Sequence, residues 1–514
     1  MTNDDHGSTP NAPAEAPEEA SAVAVTPEGA GATDPTPDHA PAPVALAAPA
    51  SESAAPPADA FADGPEPETD ALSWVDIERL ASSTATGSSA TAGARGDLLS
   101  GAPQRPARRA AVLAPLGILV ALGAAYAGTT ALWPLTAIAP TVSSAAFEPA
   151  PADPAALTWP VFGSAALAVD GIGTAASDEE QVPMASITKL VTVLAALDAL
   201  PLAPGEQGPS FAFTAEDSAE YWRYRESDQS SLDVPVDGSL TEYQLLQGIL
   251  LGSANNYADR LAREIWGSDA DFVAAGEQWL RVHDISGISL QNPSGFGFGN
   301  ESTPRALIDL GRQALSHPVV AEIVATPAAE IPGAGLVQNS NKLLTDAGVV
   351  GVKTGTIGDG DDTLYNVLTA KDIPVGDTTV RAYASVLGQP DDDSRYDVSR
   401  TLYSELEAAL SAQAPTVTRG TVLGTVETRW GATAPLVAAE DGRVVLWNGA
   451  LASATSRLAL GDDWDAGGEA GSLALKGPLN TVEVPVELGE DLAGPGFLWR
   501  LTHPVELFGL APAD

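Results

Sequence analysis

Apolar positions follow three different patterns along this chain. The first is continuous: Val112–Leu135, VLAPLGILVALGAAYAGTTALWPL, runs for 24 residues, inside a charge-free stretch from Ala110 to Phe147. A helix needs about 20 such residues to cross a bilayer. The second is helical. Leu190, Val193, Leu194 and Leu197 recur on one face and predict a helix over Ser186–Leu200. The same spacing predicts helices over Thr241–Leu251, Ala254–Ile265, Asp271–Val282, Thr303–Ser316 and Arg395–Leu410. The third consists of short β-rich runs: Gly163–Val169, Thr363–Thr369 and Val380–Leu387. Strands at both ends with helices between predict an α/β or α+β core of about 250 residues.

Beyond Pro415 the texture changes. Val417–Val426, Gly442–Trp447, Ser472–Leu475 and Thr481–Leu488 are β-type runs broken by Gly, Asp and Pro, which predicts a small all-β domain. The strip Leu498–His503 near its end reads as core rather than as an interaction surface. The opening of the chain is different again. Residues 1–100 carry 17 acids against Arg79 and Arg95 and are rich in Ala, Pro, Ser and Thr. Such a segment cannot bury enough apolar area to offset its ordering entropy, so disorder is expected. One island, Ala71–Leu80, spaces Trp74, Ile77 and Leu80 as a short amphipathic helix. It is either a transient helix or a docking motif for a cytoplasmic partner. The expected organisation is a disordered acidic cytoplasmic tail (1–104), a basic flank and transmembrane helix (105–140), a linker (141–158), a catalytic domain (159–412) and a β-rich C-terminal domain (413–514).

Arg105, Arg108 and Arg109 precede the apolar run, and no Lys or Arg follows it before Lys189. The positive-inside rule puts the N-terminus in the cytoplasm and the rest outside a cell membrane crossed once, with Tyr126 and Trp133 near the outer interface. Ala137-Ile-Ala139 looks like a signal-peptide cleavage site. The apolar run is nevertheless longer than the usual signal core of about 7–15 residues, and it starts after a long tail. An uncleaved anchor is the expectation.

Composition narrows the chemistry. The 25 basic residues against 68 acids give a net charge of −43, which excludes nucleic acid as a default partner. The absence of cysteine excludes disulfides, thiolate metal sites and Cys nucleophiles. The five histidines form no metal-binding pair, so neither a metal nor another cofactor is expected.

Three short motifs remain. Ser186-Ile-Thr-Lys189 places a hydroxyl and an amine about one helical turn apart. The Ser N–H lies at the helix N-terminus, where developing negative charge is favoured. A Ser hydroxyl needs a base, and a desolvated Lys can serve as one. Ser253-Ala-Asn255 offers a proton relay and an amide that can hold the Lys or bind a peptide carbonyl; taken alone it is an ordinary helix cap. Lys353-Thr-Gly355 ends a β-type run with an ammonium and a hydroxyl suited to a carboxylate, and with a glycine that permits close approach. The chain has only five lysines, and two of them lie in these motifs.

In this order, with spacings of 67 and 100 residues, the motifs resemble the signature of penicillin-binding proteins and serine β-lactamases. The chain is most similar to the serine-type D-alanyl-D-alanine carboxypeptidases, over about residues 160–410. Pro183–Leu190, Val234–Thr241, Leu245–Asn255, Asn292–Gly295 with Ser302-Thr303, and Asn339–Leu344 ahead of Gly351–Gly355 all resemble that family. The resemblance implies a transpeptidase-like domain, an antiparallel sheet flanked by helices. It implies that Ser186 attacks the bond between two terminal D-alanines of a peptidoglycan stem peptide. Lys189 would be the base and Ser253 the proton shuttle. Asn255 would bind the substrate backbone, and Lys353 and Thr354 its terminal carboxylate. The backbone N–H groups of Ser186 and Thr356 would form the oxyanion hole. β-Lactams would acylate Ser186. The chain departs from the family at Asn256, at Thr356 and in the acidic segment Ile357–Asp362, changes that bear on substrate preference. The alternatives are a serine β-lactamase, a D,D-endopeptidase of the same fold and a catalytically silent wall-binding scaffold. A class A lactamase would add a Glu with an Asn four residues on, and Glu264, Glu277, Glu301, Glu322 and Glu330 all lack it.

Overall fold

A computed structural model of the chain describes residues 107–135, 138–358 and 362–510. The acidic tail expected over 1–104, with its Trp74 segment, lies outside the described residues. The apolar run forms helix α1 (Ala107–Leu132), whose side chains from Val112 onward are almost all exposed although almost all are apolar. A helix that is apolar all round and not buried by protein is suited to lipid.

The catalytic-domain region is built on one antiparallel sheet. Its strands are β2 (Ser164–Val169), β3 (Gly173–Ala176), β4 (Val349–Ile357), β5 (Leu364–Val375) and β6 (Thr378–Gln389), in the order β4-β5-β6-β2-β3. Strand β2 is buried along its whole length because both faces of the sheet are covered. Alternation sorts its residues. Ala166 and Ala168 face a cluster that includes Leu190, Leu245, Tyr257, Leu280 and Leu307, whereas Ala165, Leu167 and Val169 face Tyr396, Leu402 and Leu406.

The first of those faces carries α2 (Lys189–Ala199), α4 (Glu242–Leu250), α5 (Asn255–Trp266), α6 (Asp269–Val282), α7 (Pro304–Ser316) and α8 (Pro318–Ala325); α3 (Ala215–Glu226) packs against α5. Capping fixes where they begin. Thr214 with Asp217 and Thr241 with Gln244 close reciprocal capping boxes, and Thr303 caps α7 just ahead of Pro304. The second face is covered by α9 (Asp392–Ala412). Most of the helices and strands expected from periodicity are present within a few residues. The expected helix over Ser186–Leu200 opens as a 3₁₀ turn, Ala185–Thr188, before continuing as α2.

The C-terminal region forms a second antiparallel sheet. It contains β1 (Thr141–Ser144), β7 (Val422–Glu427), β8 (Thr433–Ala438), β9 (Ser453–Leu458), β10 (Glu469–Lys476) and β11 (Thr481–Leu488), in the order β1-β7-β8-β11-β10-β9. Two expectations need correction here. Residues 141–158 are not merely a linker: β1 pairs with β7, Thr141 opposite Glu427, and the following segment packs along α9 and Trp447. Its Ala/Ser composition concealed an edge strand whose partner lies far away in sequence. Gly442–Trp447 is buried and extended but not a strand. Gly442 makes a lone antiparallel bridge to Val417, and three later N–H groups are taken by side chains: Val444 by Thr416, Val445 by Asn480 and Leu446 by Gln413. Val445 and Trp447 join the core beneath α9 and tie the two sheets together.

Candidate active site

The backbone around Ser186 is held in an uncommon conformation. Ala185, just before it, has φ 52°, and Ser253 has φ 57°. Left-handed backbone at non-glycine residues costs energy and is retained where the surroundings impose it. Two glycines let neighbouring segments close on this turn. A Cβ on Gly355 would lie 2.7 Å from the Met184 carbonyl oxygen, so β4 could not pass so near with any other residue there. A Cβ on Gly295, which has φ +77°, would lie 2.1 Å from the Ala185 oxygen.

Lys189 starts α2 one turn after Ser186 and is completely buried. Its Nζ lies 2.8 Å from Ser186 Oγ, 2.6 Å from Asn255 Oδ1 and 2.5 Å from the Ser294 carbonyl oxygen. The Ser294 carbonyl is fixed by its own turn. Asn292 Oδ1 accepts the Gly295 N–H, and Thr192 on α2 donates to the Pro293 carbonyl at 2.7 Å. Burial lowers the Lys189 pKa to about 7, against the opposing pull of Asp259. Asp259 lies one turn beyond Asn255 on α5 and accepts the Tyr224 hydroxyl at 2.6 Å; burial raises its own pKa. Asn255 donates from Nδ2 to Gln229 Oε1 at 2.8 Å, so both ends of its amide are assigned by partners.

Ser253 is buried two residues before Asn255. Among the described residues, no hydrogen bond joins its hydroxyl to Lys189 or Lys353. Lys353 is also buried, on the edge strand β4, and its Nζ donates to the Thr354 carbonyl at 3.0 Å. Its pKa is driven well below the usual Lys range, first by burial and then by the charges of Lys189 and Arg395. Thr354 shares a 2.6 Å hydrogen bond with Ser340, and Thr356 is exposed. Ser186, Asn255, Gln229, Phe296, Thr356 and Tyr365 line a cleft of about 250 Å³.

Several contributors carry no motif. Gln229 and Asp259 left no signal in the sequence. Ser294 falls inside the Asn292–Gly295 segment quoted above, but its carbonyl, not its side chain, receives the lysine. Arg395 at the start of α9 is buried behind β4. It donates to the carbonyls of Gly355 at 2.9 Å and Asn366 at 3.0 Å, pairs with Asp392, and lies against the rings of Tyr365 and Tyr396. It pins the strand that carries Lys353–Thr356.

Residues 168–382 match the sequence profile of the D-alanyl-D-alanine carboxypeptidase family. The chain is 33% identical over 182 residues to D-alanyl-D-alanine carboxypeptidase DacB2 of Mycobacterium tuberculosis, which covers 34% of this chain and 57% of that protein. The chain thus spans little more than half the length of that curated relative. Among solved structures, a D-alanyl-D-alanine carboxypeptidase from Mycobacterium tuberculosis aligns at 24% identity and TM-score 0.41, covering 51% of this chain and 96% of that one. A peptidoglycan synthesis regulatory factor (PBP3) from Streptococcus pneumoniae aligns at 20% identity and TM-score 0.43, covering 65% of this chain and 100% of that one. The profile match and the curated relative together make the segment 168–382 similar to the D-alanyl-D-alanine carboxypeptidases.

Proposed function

We propose that this chain is a membrane-anchored serine D-alanyl-D-alanine carboxypeptidase that trims peptidoglycan stem peptides through an acyl-enzyme on Ser186. The observation that carries the reading is the set of three oxygens around Lys189 Nζ. A neutral amine has two hydrogens and one lone pair. Asn255 Oδ1 and the Ser294 carbonyl can only accept, so they take the two hydrogens. The lone pair is left for Ser186 Oγ, whose proton it can receive. With its pKa lowered to about 7, Lys189 is neutral in a large share of molecules near neutral pH.

The remaining roles follow the same chemistry. Ser186 Oγ forms a bond to the carbonyl carbon of the penultimate D-Ala while Lys189 takes the hydroxyl proton. The oxyanion is held by the N–H groups of Ser186 and Thr356. Lys353 and Thr354 receive the terminal carboxylate, whose negative charge offsets the cost of a buried ammonium at Lys353. Asn255 uses its second amide hydrogen for the substrate backbone. Ser253 passes a proton to the departing D-Ala amine, and water then cleaves the ester. A β-lactam enters by the same first step and leaves an adduct on Ser186. Helix α1 supports the anchor, and the arginines before it support a cytoplasmic N-terminus with the active site outside the cell membrane.

The test is twofold. Ser186→Ala in the full chain is expected to abolish labelling by a fluorescent penicillin, and unchanged labelling would remove Ser186 from the mechanism. Mass spectrometry of peptidoglycan digests treated with the protein is expected to show loss of one alanine from pentapeptide stems. Cleaved cross-links would identify an endopeptidase instead. Rapid repeated benzylpenicillin turnover would identify a lactamase, and no reaction at all a scaffold.

A further inference from the structure

Asn256, where the chain departs from the family it resembles, is buried and does not line the cleft. Its amide takes both backbone groups of Leu232. Oδ1 accepts the N–H at 3.1 Å, and Nδ2 donates to the carbonyl at 2.8 Å. A carboxylate at this position could accept from the N–H but could not donate to the carbonyl. Asn255 holds the same loop two residues earlier, its backbone N–H donating to the Ser230 carbonyl at 2.8 Å. Residues 229–232 are thus fastened along the start of α5, and α3, which leads into them, buries none of its side chains. The loop owes its position to these polar contacts, among them the one between Asn255 and Gln229.

The orientation of the Gln229 amide follows from a chain of donors and acceptors. Lys189 Nζ donates to Asn255 Oδ1, so the other end of the Asn255 amide is the donor Nδ2. Nδ2 needs an acceptor, which makes the Gln229 atom facing it at 2.8 Å the oxygen, Oε1. The Nε2 group is left as the free end. Among the described residues it has no hydrogen-bond partner, and Gln229 is half-buried on the lining of the cleft that Ser186, Asn255 and Phe296 also line. An amide pinned by its oxygen, with two idle hydrogens, is preorganised for an acceptor in that cleft.

We infer that Gln229 is a specificity-determining residue whose Nε2 donates to the amide carbonyl on the acyl side of the substrate, the one that precedes the penultimate D-Ala. Asn255 directs its second Nδ2 hydrogen to the same backbone. The carbonyl oxygen is then received between two side-chain amides that are already hydrogen-bonded to each other. The substrate class follows from this. Compounds with an acylated amine at that position, peptides and acylamino β-lactams alike, are favoured over compounds with a bare amine. Without the carbonyl, two donors covered by the ligand go unpaired. This inference rests on the acyl-enzyme reading proposed above and deepens it.

Benzylpenicillin and 6-aminopenicillanic acid share the reactive ring and its carboxylate, and the second carries a bare amine in place of the acylamino group. The readout is the ratio of their acylation rate constants on the full-length protein. Gln229→Glu keeps an oxygen for Asn255 and replaces the donor by a second acceptor. It is expected to lower the ratio about tenfold or more, because an acceptor then faces an acceptor. Gln229→Ala removes the donor without adding repulsion and should lower the ratio about three- to tenfold, the worth of one neutral hydrogen bond. A new charge near Lys189 alters both rates alike and drops out of the ratio. A ratio unchanged in Gln229→Glu but lowered in Gln229→Ala would mean that Gln229 only positions Asn255, which overturns the proposal. A ratio unchanged in both variants, or close to one in the unmodified protein, also overturns it. Failure of the unmodified protein to react with either compound, or acylation that survives Ser186→Ala, would instead remove the acyl-enzyme reading itself.

Discussion

The two sheets of this protein bury very different things. Around the catalytic sheet the interior holds Lys189, Lys353, Arg395, Asn255, Asn366 and Ser294, whereas within residues 413–510 the one buried polar side chain among the described residues is Thr428. The C-terminal core is made of Leu423, Val426, Leu436, Leu473, Val484 and similar residues. Burying an ammonium is costly unless its surroundings compensate. The first region carries that cost twice, in one small volume, and the second not at all. The contrast separates a part of the molecule organised around reactivity from a part organised around holding its shape.

Mutations should respect this division. The largest effect is expected at Lys189. Lys189→Ala should slow penicillin acylation by roughly 100- to 10,000-fold, the usual span for removing a general base, with the melting temperature little lowered. A rate within a few-fold of wild type would place the base elsewhere. Arg395→Ala removes charged hydrogen bonds to the strand beside Ser186, each worth about 1.5–3 kcal/mol. Stopped-flow acylation should fall about tenfold or more, and an unaltered rate would mean β4 keeps its position unaided. A smaller change concerns pH. On the proposal that Lys189 acts as a free base, acylation should rise with pH through about 7 and then level off. Asp259 favours the protonated form of Lys189, so Asp259→Asn should move that rise to lower pH. A shift to higher pH would contradict the electrostatic role given to Asp259. The least effect on chemistry is expected from Leu436→Ala in the second sheet. It should cost about 2–5 kcal/mol of stability in that region yet leave the acylation rate per folded molecule unchanged. A coupled loss of rate would show that the two regions are not separable.

The same division explains what could be read beforehand. Helix α2 was legible because its apolar residues repeat at helical spacing, and Ser186 and Lys189 because they lie three residues apart where the 3₁₀ turn runs into that helix. Asn255 and Lys353 became legible only as members of an ordered set of motifs. Gln229, Asp259 and Arg395 were not legible, since each acts across space on a residue remote in sequence: Gln229 on Asn255, Asp259 on Lys189, Arg395 on Gly355 and Asn366. The β1 strand escaped for the same reason. Three small polar residues and Val142 show no alternation, and only the strand beside them gives them a structure. The Leu498–His503 strip misled in a different way: it is not core but forms most of a short helix, Phe497–Thr502, in which no residue is buried. Its apolar content is real, but composition does not say whether apolar residues face a core or a surface.

The pairing of β1 with β7 has a consequence for how the protein is made. The strand that follows α1 is synthesised well before its partner, in which Glu427 lies opposite Thr141. Until then β1 must wait with an open edge while the whole catalytic region is delivered behind it. Contacts so distant along the chain form slowly. The second sheet should therefore mature after the catalytic one, and a ribosome stalled before Val422 would leave a nascent product whose β1 edge is free to pair with the wrong chain.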